Sequence, residues 1–190
     1  MTTKTKNIFT LQPNPFQHEI LELASKQRSN VKKEEVLRHY RNMALTSILV
    51  WNFEPNVRSA IPEGPVPYLD NEESDVPVPL GKNLTDMIES KVQKEGVAKS
   101  GYYGTQDFLE ENVKTSLRNE YTRLPLFCIG GSPADMKQIT KETIFINLLK
   151  GLHPKEAELL CLVKDKKLTT KYKISFENVK NAFEDLHWSI

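Results

Sequence analysis

The chain predicts an all-α protein, with about seven helices in one domain and a proline-rich extended arm over residues 55–81 within it. Three observations carry that expectation. Apolar residues recur at three- and four-residue spacing along most of the chain, which is the stripe of an amphipathic helix. Capping residues stand just ahead of those stripes, as in Asn14-Pro15, Ser132-Pro133 and Ser175. Finally, six of the 11 prolines (Pro55, Pro62, Pro65, Pro67, Pro77 and Pro79) fall in one stretch together with Gly64 and Gly81, which forces extended or turn backbone there.

Residues 1–12 are a polar, basic lead-in with one apolar knot at Ile8, Phe9 and Leu11. Asn14 is placed to cap a helix whose first residue is Pro15, and Phe16, Ile20, Leu23 and Ala24 carry it to about Lys26. Ser29 or Asn30 caps a longer helix to about Trp51. Leu37, Tyr40, Ala44, Ile48 and Trp51 line one of its faces, and Lys32, Lys33, Glu34, Glu35, Arg38 and Arg41 the other. The proline arm follows, acidic at its centre through Asp70, Glu72, Glu73 and Asp75, with Val57, Ile61, Val66, Tyr68 and Leu69 to hold down its first half.

Leu84, Met87, Ile88 and Val92 mark a helix over 83–95, and 96–104 reads as a loop. Thr105 caps a helix with Phe108, Leu109 and Val113 inward, whose period Leu117, Tyr121, Leu124 and Cys128 continue to Gly130-Gly131. Pro125 opposes it, because an interior proline costs about 3 kcal/mol. A kink or break is expected there, with a short strand over 124–129 as the competing reading. Ser132-Pro133-Ala134-Asp135 opens the next helix, carried by Met136, Ile139, Ile144, Phe145, Leu148 and Leu149 to Gly151. His153-Pro154 starts another, with Ala157, Leu160, Cys161 and Lys164 on one stripe. Ser175 caps the last, with Phe176, Val179 and Phe183 inward.

Composition narrows the function classes. Of 190 residues, 38% are hydrophobic and 27% charged, with a net charge of +1, so no global field draws the protein to nucleic acid or a membrane. No run of ~18 apolar residues and no signal-peptide core occurs, and a soluble cytoplasmic protein is expected. Cys128 and Cys161 each lie in an apolar run without a second ligand at metal spacing, the setting of buried reduced thiols.

The chemistry of catalysis finds no constellation. His18, His39, His153 and His187 are isolated from one another in sequence, and His153 before Pro154 is placed to cap a helix. Glu34-Glu35, Glu72-Glu73 and Glu110-Glu111 are adjacent pairs, whose members point apart on a helix. The segment GVAKSGYYG lacks the lysine spacing of a phosphate loop. No cofactor or metal is expected, and the chain is not expected to be an enzyme.

One local charge excess stands out. Residues 137–180 carry ten lysines against five carboxylates, and Lys164, Lys166, Lys167, Lys171 and Lys173 crowd the exit of one helix beside Tyr172. Those lysines fit phosphates and Tyr172 fits base stacking, while no arginine is present to read base edges. A helix end complementing its own dipole, or a dock for an acidic partner, explains the same residues. These six residues are the candidate contact site.

Three segments, NFEPNVRSAIPEGPVPY (52–68), KQITKETIFINLLKGLHPKEAELLCLVKDKKLTTKY (137–172) and NVKNAF (178–183), resemble an uncharacterised family found in T-even-like tailed phages of marine bacteria. The resemblance spans most of 45–186 and implies a phage-encoded protein acting in the host cytoplasm or in the virion. It implies no activity. The expectation is therefore a non-enzymatic adaptor that binds another phage or host protein. The alternative is an accessory factor of phage DNA replication or transcription that holds nucleic acid non-specifically through the 164–173 lysines.

Overall fold

The computed structural model describes residues 8–68, 113–131, 133 and 135–189. Among them are eight α-helices, one 3-10 helix and no strand, which makes the fold all-α. The helices are α1 (Gln17–Lys26), α2 (Asn30–His39), α3 (Met43–Phe53), α4 (Leu117–Glu120), α5 (Gln138–Gly151), α6 (Pro154–Lys164), α7 (Leu168–Lys171) and α8 (Phe176–Ala182). The arm beyond residue 68, the helix expected over 83–95, the 96–104 loop and the helix begun at Thr105 lie outside the described residues, apart from Val113. Among the described residues no helix is long and apolar enough to cross a membrane.

The first expected helix starts two residues later than Pro15. Asn14 takes a left-handed φ of 59°, which breaks the helical path, and Gln17 is the first helical residue. The Glu19 carboxylate closes that turn by accepting from the Phe16 N–H at 2.8 Å. The long helix expected up to Trp51 is two helices. Asn42 adopts extended backbone and its side chain accepts from the Leu45 N–H at 3.0 Å, so a new helix is capped inside the apolar period. A cap satisfies donors that a continuous helix would have bonded internally, and periodicity alone does not distinguish the two.

The new helix α3 is the centre of the fold. Ala44, Leu45, Ile48, Leu49 and Trp51 are all buried, and the helix packs against α4, α6 and the 3-10 helix. Apolar residues on several sides belong to such a central helix. Trp51 stacks toward Phe127 with centroids 6.5 Å apart, and Phe127 meets Phe145 of α5 edge-on at 5.0 Å. Around this axis α1 and α8 both pack on α2, and α6 packs on α1, α3, α5 and α7.

At Pro125 the outcome lies between the two readings weighed for it. The chain forms α4 and then a 3-10 helix over Tyr121–Phe127, with Pro125 inside it. The tighter 3-10 turn bonds at three-residue spacing and accommodates the absent N–H. Cys128 then makes an isolated antiparallel bridge with Ser59 of the arm, with Ala60 N–H on Phe127 O at 2.7 Å and Ile129 N–H on Arg58 O at 2.8 Å. The helix expected from Ser132 begins only at Gln138, because Pro133 and Asp135 stand in a bend and a turn instead. The caps at His153 and Ser175 are present: His153 Nδ1 accepts from Lys155 N–H at 3.2 Å, and Ser175 Oγ from Asn178 N–H at 3.3 Å.

Candidate contact surface

Helix α6 ends in a Schellman turn, and that turn decides where the lysines go. Lys167 N–H reaches Leu162 O at 2.8 Å and Lys166 N–H reaches Val163 O at 3.0 Å. Lys166 sits at φ 55°, a left-handed site usually given to glycine, at a cost of about 1 kcal/mol. The reversal throws residues 164–167 against the first half of the proline arm.

Four contacts fasten the arm there. The Lys164 side chain has no exposed surface, and its ammonium donates to Pro62 O at 2.9 Å and Gly64 O at 2.8 Å while pairing with the adjacent Asp165 carboxylate. Asp165 in turn accepts from Gly64 N–H at 3.3 Å. Lys166 Nζ donates to Glu54 O at 2.7 Å, and burial lowers its pKa from the ordinary value. Lys167 pairs with Glu63 at 2.7 Å on the surface, an exposed contact of little energetic weight. From the opposite side Gln138 Nε2 donates to Ala60 O at 2.6 Å. Ile61, Val66 and Tyr68 are buried, so the arm is held down up to the last residue described in it.

The other three candidate residues separate. Tyr172 is 1% exposed and packs in the core, out of reach of a base. Lys171 pairs with Glu158 and lies over the Tyr172 ring at 5.8 Å. Lys173 is exposed; its N–H donates to Ser25 Oγ at 3.1 Å and its carbonyl accepts from Lys33 Nζ. The lysine cluster and the proline arm, each a candidate site on sequence, are therefore largely each other's partners.

Two groupings escaped the sequence reading. The histidines are not all isolated: His18 stacks on His153 with centroids 4.9 Å apart, and Phe16 lies 5.6 Å and 5.1 Å from the two rings. Burial, then the neighbouring His153, brings the His18 pKa down to about 3, and its Nδ1 has no hydrogen-bond partner among the described residues. Glu156, fully buried, accepts from Gln17 N–H at 2.9 Å with one oxygen and from Leu117 N–H at 2.8 Å with the other. It ties the starts of α1 and α4 to α6, and burial pushes its pKa up. Its only sequence signal was Glu156 at the start of a helix, which reads equally well as a dipole partner.

The thiols are ill suited to nucleophilic work. Burial pushes Cys128 up to about 11 and Cys161 to about 12, which leaves both protonated at neutral pH. No group of three or more His, Cys, Asp or Glu side chains that could hold a metal ion occurs among the described residues.

Fold and surface together define a small all-α protein whose lysine-rich helix exit anchors a proline-rich arm. The chain belongs to a family of unknown function (DUF6433), whose model matches residues 20–94 and 81–170. No curated protein and no solved structure matches it.

Proposed function

We propose that the protein is a non-enzymatic adaptor of a tailed phage, acting in the host cytoplasm by binding another phage or host protein. The observation that carries this reading is the inward turn of the lysine cluster. Lys164 is buried on arm carbonyls, Lys166 is bonded to Glu54 O, and Lys167 and Lys171 are paired with carboxylates. What sequence offered as a phosphate-binding strip is thus spent on holding the arm. The titratable groups that could run a reaction are likewise committed to the core: Glu156 to two backbone amides, His18 to an aromatic stack. A binding role asks for neither.

The test is affinity capture of the tagged protein from infected cells after nuclease treatment. One protein returned in fixed stoichiometry is the expected result. Loss of every partner on nuclease treatment refutes the adaptor and favours an accessory factor on nucleic acid. Turnover of a nucleotide or ester by the purified chain refutes the non-enzymatic part.

A further inference from the structure

With the internally held cations set aside, one edge of the molecule keeps its charge. The 171–175 segment docks on the α1–α2 hairpin through Ser25 Oγ and Lys33 Nζ, which bond the Lys173 N–H and carbonyl. That docking brings Lys173 beside Lys26 at the end of α1 and Lys32 at the start of α2, residues some 140 positions away in the chain. Lys26, Arg28, Lys32 and Lys173 are all exposed, and no ion pair joins any of them to a carboxylate among the described residues. The neighbouring acids are mostly occupied: Glu22 lies near Lys155, Glu158 pairs with Lys171, and Glu34 accepts from Asn178 and Asn181. Glu35 is the remaining exposed acid on α2.

In the middle of this edge stands Val31, 61% exposed between Arg28 and Lys32. We propose that the edge formed by Lys26, Arg28, Val31, Lys32 and Lys173 docks an acidic protein segment that carries an apolar side chain. The proposal rests on the adaptor reading and names the chemistry of the partner. Lysines supply steering and register through charge complementarity, and Val31 supplies the apolar contact that drives out water. A nucleic acid fits less well, since a phosphate backbone gains nothing from a valine. The aromatic residue of this segment, Tyr172, is buried and gives no platform for a base.

The experiment measures fluorescence anisotropy of a labelled 14-residue Glu/Leu peptide and, separately, of a 14-nucleotide oligothymidylate. Three forms of the full chain are compared with wild type: K26E/K32E/K173E, the equal-charge control K114E/K137E/K150E, and V31S. Both triples change only side chains exposed to solvent, and the backbone groups of Lys173 that make the docking bonds stay in place. The edge triple is expected to lose peptide affinity by about tenfold or more, V31S by about threefold, and the control by less than twofold. Equal losses in the two triples, no peptide binding by wild type, or tighter oligonucleotide binding lost in the same edge triple would each overturn the proposal. The adaptor reading fails separately: a partner captured from infected cells and kept by the edge triple refutes the edge alone, whereas no partner at all refutes the adaptor.

Discussion

Replacing Lys164 by methionine keeps the length of the side chain and removes its charge and its three donors. The loss falls on groups that have no alternative. Pro62 O and Gly64 O lose a donor, and the Asp165 carboxylate, 8% exposed, loses its counter-charge. An orphaned buried carbonyl costs about 1–3 kcal/mol, and breaking a buried ion pair from one side about 3–5 kcal/mol. These overlap, so the net expectation is about 3–5 kcal/mol out of a total stability of roughly 5–15. For a chain of this size that lowers the melting temperature by roughly 6–20 °C. Urea unfolding reads the free energy, and hydrogen exchange at Ala60 and Ile129 reads the arm, since their amides bond Phe127 O and Arg58 O. The double variant Lys164→Met/Asp165→Asn should recover part of the loss, because no uncompensated charge is then left inside. A K164M protein within 1 kcal/mol of wild type, with Ala60 and Ile129 still protected, refutes the account of the arm as fastened by this residue.

Other substitutions probe the core groups. In Glu156→Gln one of the two carboxylate oxygens becomes an NH2 facing a backbone N–H, so one of Gln17 and Leu117 loses its acceptor, at about 2 kcal/mol. Because burial raises the folded pKa of Glu156 above its ordinary 4.5, the native state holds the extra proton, and wild type loses stability relative to E156Q as pH rises from 4.5. His18 runs the other way. Its folded pKa of about 3 lies below the ordinary 6.5, so its contribution is full above 6.5 and is lost as pH falls through that window. Between pH 7 and 4.5 wild type should lose about 2–3 kcal/mol more than His18→Phe, read by urea titration at both pH values. Gly131→Ala should destabilise by more than Gly130→Ala in thermal melts: a Cβ at 131 would stand 1.7 Å from Pro125 O, whereas at 130 the cost is only the left-handed φ of 79°. Equal melting temperatures for the two variants would show that the Pro125 turn yields freely.

The legible part of the fold was the part written in periodicity and caps. Helices α1, α5, α6 and α8 follow their apolar stripes, and the His153 and Ser175 caps stand where their residue types place them. The break before α3 was not legible, because Asn42 lies inside an unbroken apolar period and caps only through the fold's choice of a turn at Tyr40. The 3-10 turn at Pro125 likewise depends on the Ser59–Cys128 bridge, a pairing across some 70 residues. The His18–His153 stack and the Glu156 bridge are also long-range, and no local pattern announces a contact between α1 and α6.

The lysine cluster is different, because the signal that splits it was already present in the sequence. Lys164 shares a stripe with Ala157, Leu160 and Cys161, and those three are buried at 0–3% exposure. A lysine that continues a buried stripe at the end of a helix must either snorkel outward or find acceptors inside. Here the proline arm supplies the acceptors, since Pro62 and Gly64 offer carbonyls that no helix or sheet has claimed. Proline-rich backbone is rich in such unclaimed carbonyls, and an ammonium with three donors satisfies several at once. A lysine block followed across the fold by a proline-rich segment is thus as much a fastening as a contact surface. It follows that charge reversal at Lys164 tests folding of the arm and not binding. An effect on any ligand counts as evidence of contact only when it is produced at Lys26, Arg28, Lys32 or Lys173, whose side chains the fold leaves in water.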